Sequence, residues 1–118
     1  MTEVTLVQSK AGVFEAFYAE GHAGFAAIGS DIVCAAVTVL LRTALQLLSD
    51  TDGVSIQADV AETGKLSVLV THAEPSMEQR LVCIADFVRT GISALESEYP
   101  QHGALREQIK EYRAAKAV

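Results

Sequence analysis

Residues 3–8 and 13–19 are rich in β-forming side chains, and Ser9-Lys10-Ala11-Gly12 between them supplies a turn that ends on glycine. They read as a β-hairpin whose second strand stops at Gly21-His22. The period then changes. Over residues 31–48 an apolar stripe of Val33, Val37, Leu40, Ala44 and Leu47 or Leu48 marks a helix, yet Ile32, Ala36, Val39 and Leu45 load its other sides too. A helix apolar all round is a buried one. Arg42 is its only charged interior residue, so we expect one side on the sheet and another covered by a second helix and by a second subunit.

After Asp50-Thr51-Asp52-Gly53, Val54, Ile56, Ala58 and Val60 alternate with Ser55, Gln57 and Asp59, the signal of a strand buried on one face and wet on the other. Ala61-Glu62-Thr63-Gly64 leads to the same alternation at Leu66, Val68 and Val70, giving a second hairpin. Pro75 opens a second helix, with Ser76 and Gln79 spaced as a capping box and Met77, Leu81, Ile84, Val88, Ile92 and Leu95 on one stripe. It ends before Pro100. Residues 104–116 are rich in Ala, Glu, Lys and Arg, with Leu105, Ile109 and Tyr112 at helical spacing, which predicts a short terminal helix.

The order is strand, strand, helix, strand, strand, helix. Tight hairpins make the strand pairs antiparallel, and the simplest packing is an α+β two-layer sandwich: about four mostly antiparallel strands under two main helices. At 118 residues the chain is read as a single domain, 1–118, long enough to bury its own core.

Composition narrows the function classes. A net charge of −6 argues against direct nucleic-acid binding, which relies on clustered Lys and Arg, and makes a basic protein or peptide an easier partner. We see no apolar run of membrane-spanning length and no signal-peptide pattern, so a cytoplasmic protein without membrane contact is expected. The two cysteines, Cys34 and Cys83, are too few for a disulfide scaffold. With three histidines at unpaired spacings they form no recognisable zinc set, so no metal or cofactor is expected.

The candidate chemistry lies between Gly21 and Thr38. A thiol attacks as thiolate, which a helix N-terminus or an imidazolium stabilises. With Ser30 or Asp31 as N-cap, Cys34 falls in or just past the first helical turn. His22 at the strand end would act as its general base and then protonate the leaving amine. The short stretch between them contains Ala23, Gly24 and Gly29, a flexible loop able to cover the site. Asp31 has two roles open to it: helix cap or orienter of His22. Thr38, one turn beyond Cys34, either donates to the thiolate or bonds back to its own helix. Cys83 borders the second helix's apolar stripe and reads as structural, and His72 and His102 read as loop residues.

Gly21-His22-Ala23, then Gly29 and Asp31-Ile32-Val33-Cys34-Ala35-Ala36, resembles the bacterial ribosomal-processing cysteine protease family Prp. The resemblance covers about residues 2–99, including the hairpin-helix order. It implies a homodimeric α+β fold, a cysteine endopeptidase using His22 and Cys34, and support from Asp31 and Thr38, where the family commonly has Ser in place of Thr38. The implied substrate is large-subunit ribosomal protein twenty-seven, whose cleavable N-terminal extension is removed during ribosome maturation. The family closes with a strand-like tail, whereas residues 100–118 here read as a helix. The competing expectation is a non-catalytic ribosome-assembly or protein-binding module, and a thiol redox sensor comes third.

Overall fold

The computed structural model describes residues 2–20, 28–61, 65–101 and 103–110. β1 (Thr2–Ser9) and β2 (Phe14–Glu20) form the first hairpin, α1 (Ile28–Ser49) follows, and β3 (Val54–Ala61) and β4 (Lys65–Ala73) form the second. A 3-10 turn at Pro75–Met77 leads into α2 (Glu78–Glu98), and β5 (Gly103–Lys110) closes the sheet. The strand order is β3-β4-β2-β1-β5, with every pair antiparallel except β1 with β5. Both helices lie on one face. The expected two-layer α+β sandwich is therefore present, with a fifth strand added.

That fifth strand corrects the terminal-helix expectation. Helix propensities differ by only about 0.7 kcal/mol per ordinary residue. The outer edge of β1 offers a row of backbone groups that must otherwise find water, and β5 pairs with it in unbroken parallel register from Thr2–Gly103 to Ser9–Lys110. Weak local preference yields to the ladder.

The core lies between the layers. Val4, Leu6, Phe14, Phe17, Val68 and Val70 from the sheet meet Val33, Val37, Leu41, Ala44 and Leu48 of α1 and Leu81, Ile84, Ala85, Val88 and Ile92 of α2. A bulge in the first hairpin, where Val7 pairs Ala16 but Gln8 pairs Phe14, inserts Glu15 as an extra residue. It lets Phe14 and Phe17 share the core face, with ring centroids 6.0 Å apart edge to face.

The two helices divide the sheet. α1 packs on β3 and β1, and α2 packs on β5, β1 and β2. They cross at Gly91, where an added Cβ would meet the Leu40 methyls at 3.0 Å. The turn from α1 to β3 is set by Gly53 at φ +89° and by backbone bonds from Asp50 to Gln46 and from Thr51 to Leu48. Arg80 Nε donates to Thr51 Oγ1 at 2.5 Å, tying that turn to α2.

Four further expectations change. α1 starts at Ile28, so Ser30 and Asp31 lie inside it and cannot be its cap. α2 starts at Glu78 after Met77 with no side-chain cap bond, so the Ser76/Gln79 capping box does not form; Pro75 begins a 3-10 turn instead. Ala58 and Val60, expected to be buried, are exposed, because β3 is the sheet's edge strand and has no neighbour on its outer side among the described residues. Finally, by length and composition the window Ile32–Ser49 is enough to cross a membrane despite Arg42, although in this fold one stripe of it packs on the sheet.

Candidate active site

Cys34 is the seventh residue of α1, on the flank of the helix and partly buried. The unsatisfied N–H groups of a helix belong to its first four residues, here Ile28 to Asp31, and the macrodipole's effect fades within the first turn. Cys34 thus sits nearly a turn deeper than its sequence pattern suggests. The helix start therefore lies farther from Cys34 than its sequence pattern suggests.

Helical geometry fixes which way that flank looks. At 100° per residue, the buried stripe of Val33, Val37, Leu41, Ala44 and Leu48 points at the sheet, and Leu40, on one side of it, packs on Gly91 of α2. Cys34, Thr38 and Leu45 lie on the other side, away from α2 and toward β3. The axial level follows as well. Cys34 precedes the end of α1 by 15 residues, about 22 Å, and Val60 lies six residues into β3, about 20 Å from its start. Because a tight turn joins the two elements, Cys34 and Val60 stand at the same end of the sandwich.

β2 leaves the sheet at this end too. Glu20 pairs with Lys65, which pairs with Ala61, so the strand carrying the chain toward His22 ends in the same row as the end of β3. His22, Ala23 and Gly24 lie outside the described residues. Gly29, assigned to the loop by its sequence, belongs to the first turn of α1. Thr38 Oγ1–H donates to the Cys34 carbonyl at 2.7 Å, so its proton is spent on its own helix and not on the sulfur.

The remaining candidates are elsewhere. His72, read as a loop residue, is an exposed part of β4 opposite Ser55, at the far end of the sheet from Cys34. Cys83 is exposed on α2, and neither cysteine forms a disulfide. His102 lies outside the described residues. Among the described residues no group of three His, Cys, Asp or Glu is placed to hold a metal ion.

A family described as cysteine protease Prp matches residues 1–103, a span that contains both His22 and Cys34. The chain belongs to the Prp cysteine protease family. Solved structures agree on the fold. SMU.848 from Streptococcus mutans is 25% identical, with a TM-score of 0.76 over 93% of this chain and 96% of that one. The Prp protease of S. aureus, described as an essential ribosomal processing protease in complex with a substrate peptide, is 16% identical, with a TM-score of 0.76 over 92% of this chain and all of the other. The same protease with a covalently linked product peptide is 17% identical at a TM-score of 0.74, again over 92% and 100%. No curated protein sequence matches. As a Prp family member the protein is a cysteine protease, and the matched span contains both of its cysteines, the partly buried Cys34 and the exposed Cys83.

What sequence reasoning missed is the setting of Cys34. Val60 was read as one more inward residue of an alternating strand, yet it is 55% exposed beside the helix flank that carries the thiol. The only hint in the chain was that β3 is the first strand of its hairpin, with no earlier partner assigned to its other edge.

Proposed function

We propose that this protein is a ribosomal-processing endopeptidase in which Cys34 is the nucleophile and His22 the general base and acid. The observation that carries the reading is the Prp family match across residues 1–103. It is supported by the partly buried position of Cys34 at the sheet end where β2 delivers its last described residue two positions before His22. Two residues reach about 7 Å in extended chain.

In this mechanism the imidazole of His22 takes the thiol proton as Cys34 Sγ attacks the scissile carbonyl carbon. The tetrahedral oxyanion is held by backbone N–H donors. Collapse breaks the C–N bond; His22 gives its proton to the leaving amine, and a thioester stays on Cys34. Water, deprotonated by His22, releases the acid product. In this reading Asp31, inside a helix that begins three residues earlier, orients His22. The S. aureus relative with its covalently linked product peptide fits nucleophilic catalysis of this kind.

The proposed substrate is large-subunit ribosomal protein twenty-seven bearing a cleavable N-terminal extension, processed in the cytoplasm. An acidic enzyme of net charge −6 suits a basic ribosomal protein. We further propose a homodimer, supported by the outward face of α1, where Ile32 is 51% and Val39 64% exposed.

The test is cleavage of a peptide spanning the extension and its junction. Wild type should cut it, and Cys34→Ala and His22→Ala, folded by circular dichroism, should not. Alkylation of Cys34 by iodoacetamide should slow in His22→Ala while that of Cys83 is unchanged. Full turnover by Cys34→Ala would remove the thiol from the reaction, and an unreactive Cys34 with intact peptide binding would leave a protein-binding module.

A further inference from the structure

β3 is an edge strand eight residues long, and Gln57, Ala58, Asp59 and Val60 are all exposed. Among the described residues its outer row of backbone N–H and C=O groups has no strand beside it. Long exposed edges of this kind invite pairing, and proteins normally blunt them with lysine, proline or a bulge. The only irregularity here is at Ser55/Ile56, at the end away from Cys34, so the stretch 57–60 is regular and open.

The two faces beside this edge differ in chemistry. On the helix side Val60 lies in the row of Leu66, Ala19 and Val4, next to the α1 flank with Cys34 and Thr38. On the other side Asp59 lies in the row of Ser67, Tyr18 and Thr5, a shallow depression rimmed by Glu3, Glu20 and Lys65. Lys65 already pairs with Glu20 at 3.6 Å, and among the described residues the Asp59 carboxylate is the anionic group on the edge strand itself. An extended chain laid on β3 would run about 4.8 Å outside it, with alternate side chains reaching these two faces.

We propose that an extended peptide substrate adds to the free edge of β3 as a sixth strand. Its alternate residues are read by Val60 as apolar on the helix side and by Asp59 as cationic on the open side. This inference rests on the protease reading for its occupant, and it gives Val60 and Asp59 the role of specificity-determining residues. Main-chain hydrogen bonds supply affinity, and the two faces supply selectivity, as in other strand-addition complexes. The added strand passes Cys34 because the edge residue at the thiol's level is Val60.

The experiment uses the full-length Cys34→Ala protein and a fluorescein-labelled peptide spanning the proposed extension and its junction. A series of peptides is methylated at one backbone nitrogen at a time, and affinity is read by fluorescence anisotropy. Losses of about tenfold at every second position, with little change between them, are expected, because a paired strand turns alternate N–H groups toward its neighbour. Val60→Lys should weaken binding about tenfold, and Asp59→Lys should do so only for peptides that keep Lys or Arg. Val60→Thr, which preserves strand preference, guards against a folding artefact.

No binding, or losses without a two-residue period, overturns the inference. So does a Val60→Lys protein that turns from dimer to monomer in sedimentation while its peptide affinity is unchanged, which would make the edge a seam between two copies. Wild-type cleavage is measured in parallel. Turnover without the two-residue period keeps the protease and discards the edge; the period without turnover does the reverse.

Discussion

α1 and α2 are nearly equal in length, 22 and 21 residues, lie side by side on one sheet, and each carries one cysteine close to the same place, seventh and sixth from its start. Their inner faces are alike. The outer faces are not: α1 exposes Ile32 and Val39, whereas α2 exposes Glu78, Arg80, Asp86 and Thr90. Cys34 stands partly buried on a flank that overlooks an open strand edge, and Cys83 stands in solvent on a charged surface. On the proposed mechanism, what separates the two thiols is the groove each overlooks, more than the side chain's type or its depth in a helix.

The largest test of that contrast is chemical. Cys34→Ser should lower kcat/KM for the extension peptide by about 10⁴-fold, and Cys83→Ser should stay within about twofold. A comparable loss at Cys83 would break the comparison. Next come the inner faces, where Leu41→Ala on α1 and Leu81→Ala on α2, both 1% exposed, should each cost about 2–5 kcal/mol in urea unfolding. Similar costs would show that the helices differ only outward.

The outer faces should then separate them. Val39→Lys is expected to shift sedimentation from dimer toward monomer, while Ser93→Lys on the exposed side of α2 leaves the distribution as it was. A dimer that survives Val39→Lys would move the second subunit off α1. The smallest effect is expected at the two α1 threonines. Thr38→Ala and Thr43→Ala each remove a hydroxyl bonded back to the helix, to Cys34 and Val39, and alanine's better helix propensity of about 0.5 kcal/mol offsets that loss. Stability should change by less than about 0.5 kcal/mol in both. A tenfold fall in kcat for Thr38→Ala alone would mean that its hydroxyl leaves the Cys34 carbonyl to meet substrate.

Much of this arrangement is written in local pattern. Alternation placed β3 and β4, glycine at positions 12 and 53 marked the two turns with positive φ among the described residues, and the stripe from Leu81 to Ile92 fixed the buried face of α2. The stretch proposed to carry the chemistry was legible as a motif. Two of the failures share one physical cause: each depended on partners distant in sequence. Leu105 and Ile109 suit a helix until β1 offers them a ladder, and Val60 suits a buried face until the sheet ends at β3. The cap expected at Asp31 failed locally, because the helix begins three residues earlier at Ile28.

The parallel pairing of β1 with β5 has its own consequence for biosynthesis. β1 is synthesised before β5 and waits for it before its outer edge is sealed, so this seam joins the two most widely separated strands among the described residues. Chains interrupted before residue 103 would carry the bare outer edge of β1, a template for aggregation that the addition of β5 removes.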